Sequence, residues 1–143
     1  MADRNYAKIF PNVKRTSPFY DLLGIDEVKV EDGYASLQMA FRPELTHSYG
    51  IVHGGAITTL VDSTVAIALL TQTQRGEQVT TIELKLNFLA SVSEGVLISE
   101  ASLVHKGRRT AVAQCTVRRS DGKLVAQALV TYMILQPEST ASP

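Results

Sequence analysis

The feature that most constrains this chain is a run that opens with His53-Gly54-Gly55 and continues from 56 to 70, almost wholly apolar with one acid in its middle. At the helical angle Ile57, Leu60, Val61, Thr64, Val65 and Ala68 fall on one stripe, while Ala66 and Leu69 flank Asp62 on the other side. A helix that is apolar on nearly all sides is buried, so the rest of the fold must supply a surface that wraps it. The run from 56 to 70 is too short to span a membrane and carries a charge.

Asp62 is the only formally charged residue between Glu44 and Arg75, and its helical neighbours Thr58, Thr59, Val65 and Ala66 include no cation. Asp is also a poor interior helix residue, because its short side chain competes for backbone hydrogen bonds. The pattern therefore predicts a buried carboxylate without a local partner. Burying such a group costs several kcal/mol. Two readings fit: an acid kept reactive as a base or nucleophile, or a structural acid paired elsewhere in the fold.

The flanking sequence reads as β-structure. Residues 17–24 form a short helix, with Ser17 as N-cap, Pro18 at its first position and Gly24 as its stop. Strands at 25–30 and 34–41 are joined by the hairpin signal Asp32-Gly33. After the helix, 78–89 switches to a period of two, which sets Ile82, Leu84, Leu86 and Phe88 on a core face and Thr81, Glu83, Lys85 and Asn87 on the other. Strands at 96–105, 110–119 and 124–135 follow, joined by polar turns. The class is α+β: one long central helix wrapped by an antiparallel sheet of about five to six strands. A helix this apolar also invites closure by a second copy, hence a homo-oligomer.

The 143 residues suit one domain with a real core, expected at 17–136 between an arm at 1–16 and a polar, disordered tail at 137–143. Fourteen basic and fourteen acidic residues cancel, which argues against nucleic acid as the main partner. Residues 1–15 lack the apolar segment of a signal peptide, and the expected location is cytoplasmic, with no membrane association. Cys115 is the sole cysteine, so neither an intrachain disulfide nor a thiolate cluster can form, and its strand alternation predicts a small buried residue. No metal is expected, since His47, His53 and Asp62 lack a further ligand cluster, and there is no Gly-x-Ser-x-Gly elbow.

Chemistry concentrates at the helix start. Gly54-Gly55 is preceded by no Ser, Thr, Asp or Asn, which leaves the first N–H groups without an expected side-chain cap and open to a polarised carbonyl. The basic turn His105, Lys106, Gly107, Arg108, Arg109 is either a phosphate grip or a solvated hairpin.

The segment from His47 through His53-Gly54-Gly55 to Asp62, with the strand Thr81 to Phe88 and the turn 105–110, resembles the PaaI-like branch of the hotdog-fold acyl-CoA thioesterases. The resemblance covers 17–135. It implies a helix wrapped by an antiparallel sheet, edge-to-edge dimers or dimers of dimers, and active sites at the dimer interface. Asp62 would be the nucleophile or the base that activates water. The Gly55 N–H would polarise the thioester carbonyl, and a hydroxyl from Thr80 or Thr81 would position the acid or the water. Gly54 and His53 would line the substrate loop, and the basic turn would hold coenzyme A, which enters as part of the substrate rather than as a cofactor. His47 occupies the position where that family commonly has Asn; imidazole can donate one hydrogen bond as an amide does. A non-catalytic acyl-CoA binding module is the alternative from another class, and a hotdog dehydratase matches less well.

Overall fold

The protein, described from a computed structural model, is defined over residues 17–138. The arm expected at 1–16 and all but Pro137 and Glu138 of the expected tail lie outside the described residues.

The chain runs through α1 (Pro18–Leu23), β1 (Ile25–Glu31), β2 (Tyr34–Ala40), a 3-10 turn (Pro43–Leu45), α2 (Gly54–Leu70), β3 (Gln78–Phe88), β4 (Val96–Lys106), β5 (Thr110–Arg119) and β6 (Leu124–Leu135). Pro18 occupies the first turn of α1, although the Ser17 side chain makes no capping bond. Asp32-Gly33 closes the β1–β2 hairpin, pairing Glu31 with Tyr34; Gly33 has φ of 70°, a conformation that disfavours residues with a Cβ.

All six strands form one antiparallel sheet in the order β1-β2-β4-β5-β6-β3. The strand that follows the helix is thus carried to the far edge, and β4 to β6 fill the space between. Helix α2 lies on one face, chiefly against β2 and β4. Leu60, Val61 and Ala68 are fully covered there, facing Leu37, Met39, Leu97 and Val117. Each buried Leu, Val or Met here contributes about 1.5–3 kcal/mol by leaving water. The hydroxyls of Thr58, Thr59 and Thr64 bond back to the carbonyls of Gly54, Gly55 and Leu60, so a β-branched helix is buried without orphaned polar groups. Cys115 is buried as expected, its Sγ 3.1 Å from Ser99 Oγ, and burial pushes its thiol up to about 11.

Strand β3 departs from simple alternation. Its register against β6 shifts between Thr81 and Glu83, making Ile82 the extra residue of a β-bulge. The phase reverses at that point. Val79 and Thr81 before the bulge, and Leu84 and Leu86 after it, are paired with the buried Ile134, Tyr132, Val130 and Ala128, whereas Ile82 is 52% exposed. The core face expected for Ile82 is therefore corrected: paired residues share a face, and the inserted residue belongs to neither phase. No residue of β3 is fully buried, because the strand is an edge. Similar shifts in β1 and β4 leave Val28 and Val104 exposed.

Candidate active site

Asp62 sits halfway along α2 on the one stripe the sheet does not cover, with Gly55, Thr59 and Ala66 above and below it. It is half-buried, not buried as its apolar surroundings in sequence suggest, because that stripe faces outward. Its partners are hydroxyls. Tyr132 donates from its phenol to Oδ1 at 2.6 Å, with the main-chain oxygen of the same residue at 2.9 Å, and Thr81 Oγ1 donates to Oδ1 at 2.8 Å. Oδ2 accepts no hydrogen bond among the described residues. Burial, followed by the bond to Asp62, pushes the Tyr132 phenol well above its ordinary range, so it remains a donor. Tyr20 of α1 is raised as well, by burial first, with the Asp62 charge adding to it.

Of the two threonines considered at this point, Thr81 makes the contact. Thr80 pairs with Met133, on the face away from the helix, and is exposed. Nothing in the sequence motifs points to Tyr132. The available signal was a phenol on the inward phase of β6 between Val130 and Ile134, a position that calls for a partner for its hydroxyl.

The start of α2 corrects a second expectation. His53 is the N-cap, and its Nδ1 accepts the Gly55 N–H at 2.8 Å. The helix end is capped by imidazole instead of a hydroxyl or carboxamide, and the Gly55 N–H, expected to polarise a carbonyl, is already engaged. The Gly54 N–H has no partner among the described residues. A Cβ on Gly54 would lie 3.1 Å from Cζ of Phe88, so glycine is what lets that ring approach the helix end. A groove of about 470 Å³ opens here, bordered by His47, Gly54, Ile57, Phe88 and Val92. His47 Nδ1 accepts the Tyr49 N–H at 3.1 Å, which leaves its proton on Nε2 as a donor. A second groove of about 310 Å³ lies on the Gly55 side, against Phe19, His53 and Thr59.

The basic turn is close in register to the acid. Lys106 pairs with Ala111, Ala111 with Tyr132 and Tyr132 with Thr81, one continuous rung across four strands. Lys106 therefore shares the face of the two hydroxyls that hold Asp62. His105 pairs with Val112 on the opposite face, after the bulge at Val104. Lys106, Arg108 and Arg109 are exposed, and Gly107 donates its N–H to Thr110 O at 2.8 Å to close the turn. No group of three or more His, Cys, Asp or Glu able to hold a metal occurs among the described residues.

The site residues thus fall into two groups within one chain. His47, Gly54 and Phe88 surround the helix start, and Asp62, Thr81, Tyr132 and Lys106 gather farther along. The eight residues from Gly54 to Asp62 separate them by about 12 Å along the helix axis.

A family model described as the thioesterase superfamily matches residues 49–126. A provisionally named esterase of Saccharolobus solfataricus is 31% identical over 128 residues, which is 90% of this chain and 91% of that one. The 1,4-dihydroxy-2-naphthoyl-CoA hydrolase of Listeria monocytogenes is 26% identical across 80% of this chain and 93% of its own length. The crystal structure of a thioesterase family protein from Silicibacter pomeroyi superposes with a TM-score of 0.83 at 29% identity, covering 92% of this chain and 98% of that one.

Proposed function

The chain belongs to the thioesterase superfamily, has its hotdog fold and is a thioester hydrolase, and we propose that its substrate is an acyl-CoA cut by Asp62 at a dimer interface. The observation that carries this is the Asp62 carboxylate on the uncovered stripe of α2, held on Oδ1 by Tyr132 and Thr81, with no bond to Oδ2 among the described residues. A carboxylate so placed acts as nucleophile toward the thioester carbon or as base for water. On either route water adds across the acyl carbon–sulfur bond: the carbon gains the hydroxyl and the departing CoA thiolate gains the proton.

The developing oxyanion needs donors that are not already engaged. The Gly54 N–H and His47 Nε2–H border one groove and meet that need, so Gly54 replaces Gly55 in this role. Because Gly54 and Asp62 lie about 12 Å apart on one helix, each active site combines the Gly54 end of one subunit with the Asp62 of another. Strand β3, eleven residues long, has an edge that pairs with no strand among the described residues and is suited to pairing with a second copy. Lys106, Arg108 and Arg109 supply charge for the CoA phosphates. The CoA hydrolase from Listeria monocytogenes supports this substrate class. No helix of the described residues is long and apolar enough to cross a membrane.

A panel of short, medium, long and aryl acyl-CoAs, assayed for released thiol, tests the reading. At least one substrate should turn over, and Asp62→Asn should lower kcat roughly a thousandfold or more while the protein elutes as the same oligomer. Binding without thiol release across the panel would identify a non-catalytic acyl-CoA module instead.

A further inference from the structure

Asp62 differs from an ordinary surface carboxylate in that its two oxygens are not equivalent. Oδ1 receives two hydroxyl donors, from Tyr132 at 2.6 Å and Thr81 at 2.8 Å, and Oδ2 receives none among the described residues. The terminal torsion of an Asp side chain is broad and close to two-fold, so without such contacts either oxygen would present itself to a ligand. We propose that Tyr132 is a positioning residue which, with Thr81, fixes Oδ1 so that Oδ2 alone meets the thioester; this rests on Asp62 being the reacting acid.

Three further features of the structure support this role. Tyr132 also lies 2.9 Å from the main-chain oxygen of Asp62, so its single hydroxyl proton is shared between the side chain and backbone of one residue. The phenol therefore references the carboxylate to the helix axis. Second, Tyr132 and Thr81 are direct partners across β6 and β3, where facing side chains sit about 5 Å apart. Two hydroxyls on one rung can converge on one oxygen only if both point at the helix. The Ile82 bulge makes that possible: it sets Val79 and Thr81 on the inward phase while Leu84 and Leu86 keep the same face beyond it. Third, Tyr132 is 3% exposed and seated among core residues, so its ring is a rigid mount for the hydroxyl. Packing alone would be served by Phe, which brings no hydroxyl that must find an acceptor.

Tyr132→Phe removes one oxygen and keeps the ring. With the best acyl-CoA from the panel, kcat should fall roughly 10- to 100-fold while KM stays within about twofold, as expected when a reacting group is misplaced but binding is intact. Melting temperature and elution volume should match the parent. Combined with Thr81→Val, which removes the second donor to the same oxygen, the loss should differ from the product of the single losses. In an Asp62→Asn background Tyr132→Phe should change nothing further. An unchanged kcat in Tyr132→Phe beside an inactive Asp62→Asn overturns the positioning role and leaves the acid's role standing. A lowered melting temperature with an unchanged kcat makes Tyr132 a packing residue and also overturns it. An active Asp62→Asn overturns the reading of the acid and this inference with it. Should Tyr132→Phe fail to fold, Thr81→Val decides alone: a fall in kcat at constant KM supports the clamp, and an unchanged kcat overturns it.

Discussion

Helix α2 has two flanks that share a backbone and almost nothing else. On the flank toward β2 and β4, Leu60, Val61 and Ala68 are fully buried, and the polar Thr64 is satisfied by its own helix at 2.6 Å. On the other flank, Gly55, Thr59, Asp62 and Ala66 are left uncovered by the sheet; there the Asp62 carboxylate is bonded from distant strands and the Gly55 N–H from the cap. The first flank is held by area removed from water, a non-directional term in which side chains are exchangeable at similar volume. The second depends on hydrogen bonds of fixed direction, in which the loss of a single atom changes what is presented. Stability and chemistry should therefore respond to separate substitutions, although residues from the two flanks are only one or two positions apart in sequence.

The sharpest way to break that comparison is Leu60→Ala. The side chain is fully buried against the sheet, so its truncation should cost about 2–5 kcal/mol of unfolding free energy. Activity per folded molecule should persist, because no atom of Leu60 faces the open stripe. Chemical denaturation alongside the thiol-release assay checks both halves. If kcat per folded molecule collapses while stability is kept, the two flanks are not separable.

Gly54→Ala examines the boundary between the flanks. Ala is at least as good a helix residue as Gly, so the helix itself should lose nothing. The new methyl would stand 3.1 Å from the Phe88 ring, at the edge of the groove that carries His47. The ring must move by a few tenths of an ångström, into the space assigned to the thioester. A drop of roughly tenfold in kcat/KM with the melting temperature held is the expected result. Phe88→Leu in the same protein should restore part of it, since a smaller side chain concedes that space.

How much of this was legible before the structure follows the same division. The strand limits around Tyr34, Leu124 and Leu135 and the turn at Asp32-Gly33 rest on alternation and turn chemistry, which are local, and the structure places them where the sequence does. The closed flank of α2 was legible for the same reason. The open flank was legible only through the resemblance, which offers Thr80 or Thr81 to hold the acid and says nothing of Tyr132. The partners of Asp62 lie 19 and 70 residues away in sequence, and neither is charged, so a search for a nearby cation could not find them. The phase of β3 turned on one inserted residue, Ile82, which periodicity alone cannot locate because a bulge is defined by the strand it pairs with. The choice of Thr81 over Thr80 depended on that phase.

His53 is the smallest effect and the one that separates cap from chemistry. Its imidazole stands where Ser, Thr, Asn or Asp would ordinarily cap a helix, accepting the Gly55 N–H at 2.8 Å, while the His53 main-chain N–H donates to Leu45 O at 2.7 Å. The main-chain bond survives any substitution except proline, but the cap does not. His53→Ala should therefore lose about 1 kcal/mol of stability, the usual value of a side-chain N-cap. His53→Asn restores an acceptor at the same position and should recover most of that loss. If capping is its whole contribution, the Asn variant also keeps the parent's kcat, because Gly55 is again engaged and the Gly54 N–H is still free to meet the carbonyl. A stable His53→Asn protein with a depressed kcat would move His53 from the cap into the reacting site, and the open flank of α2 would then begin one residue before the helix.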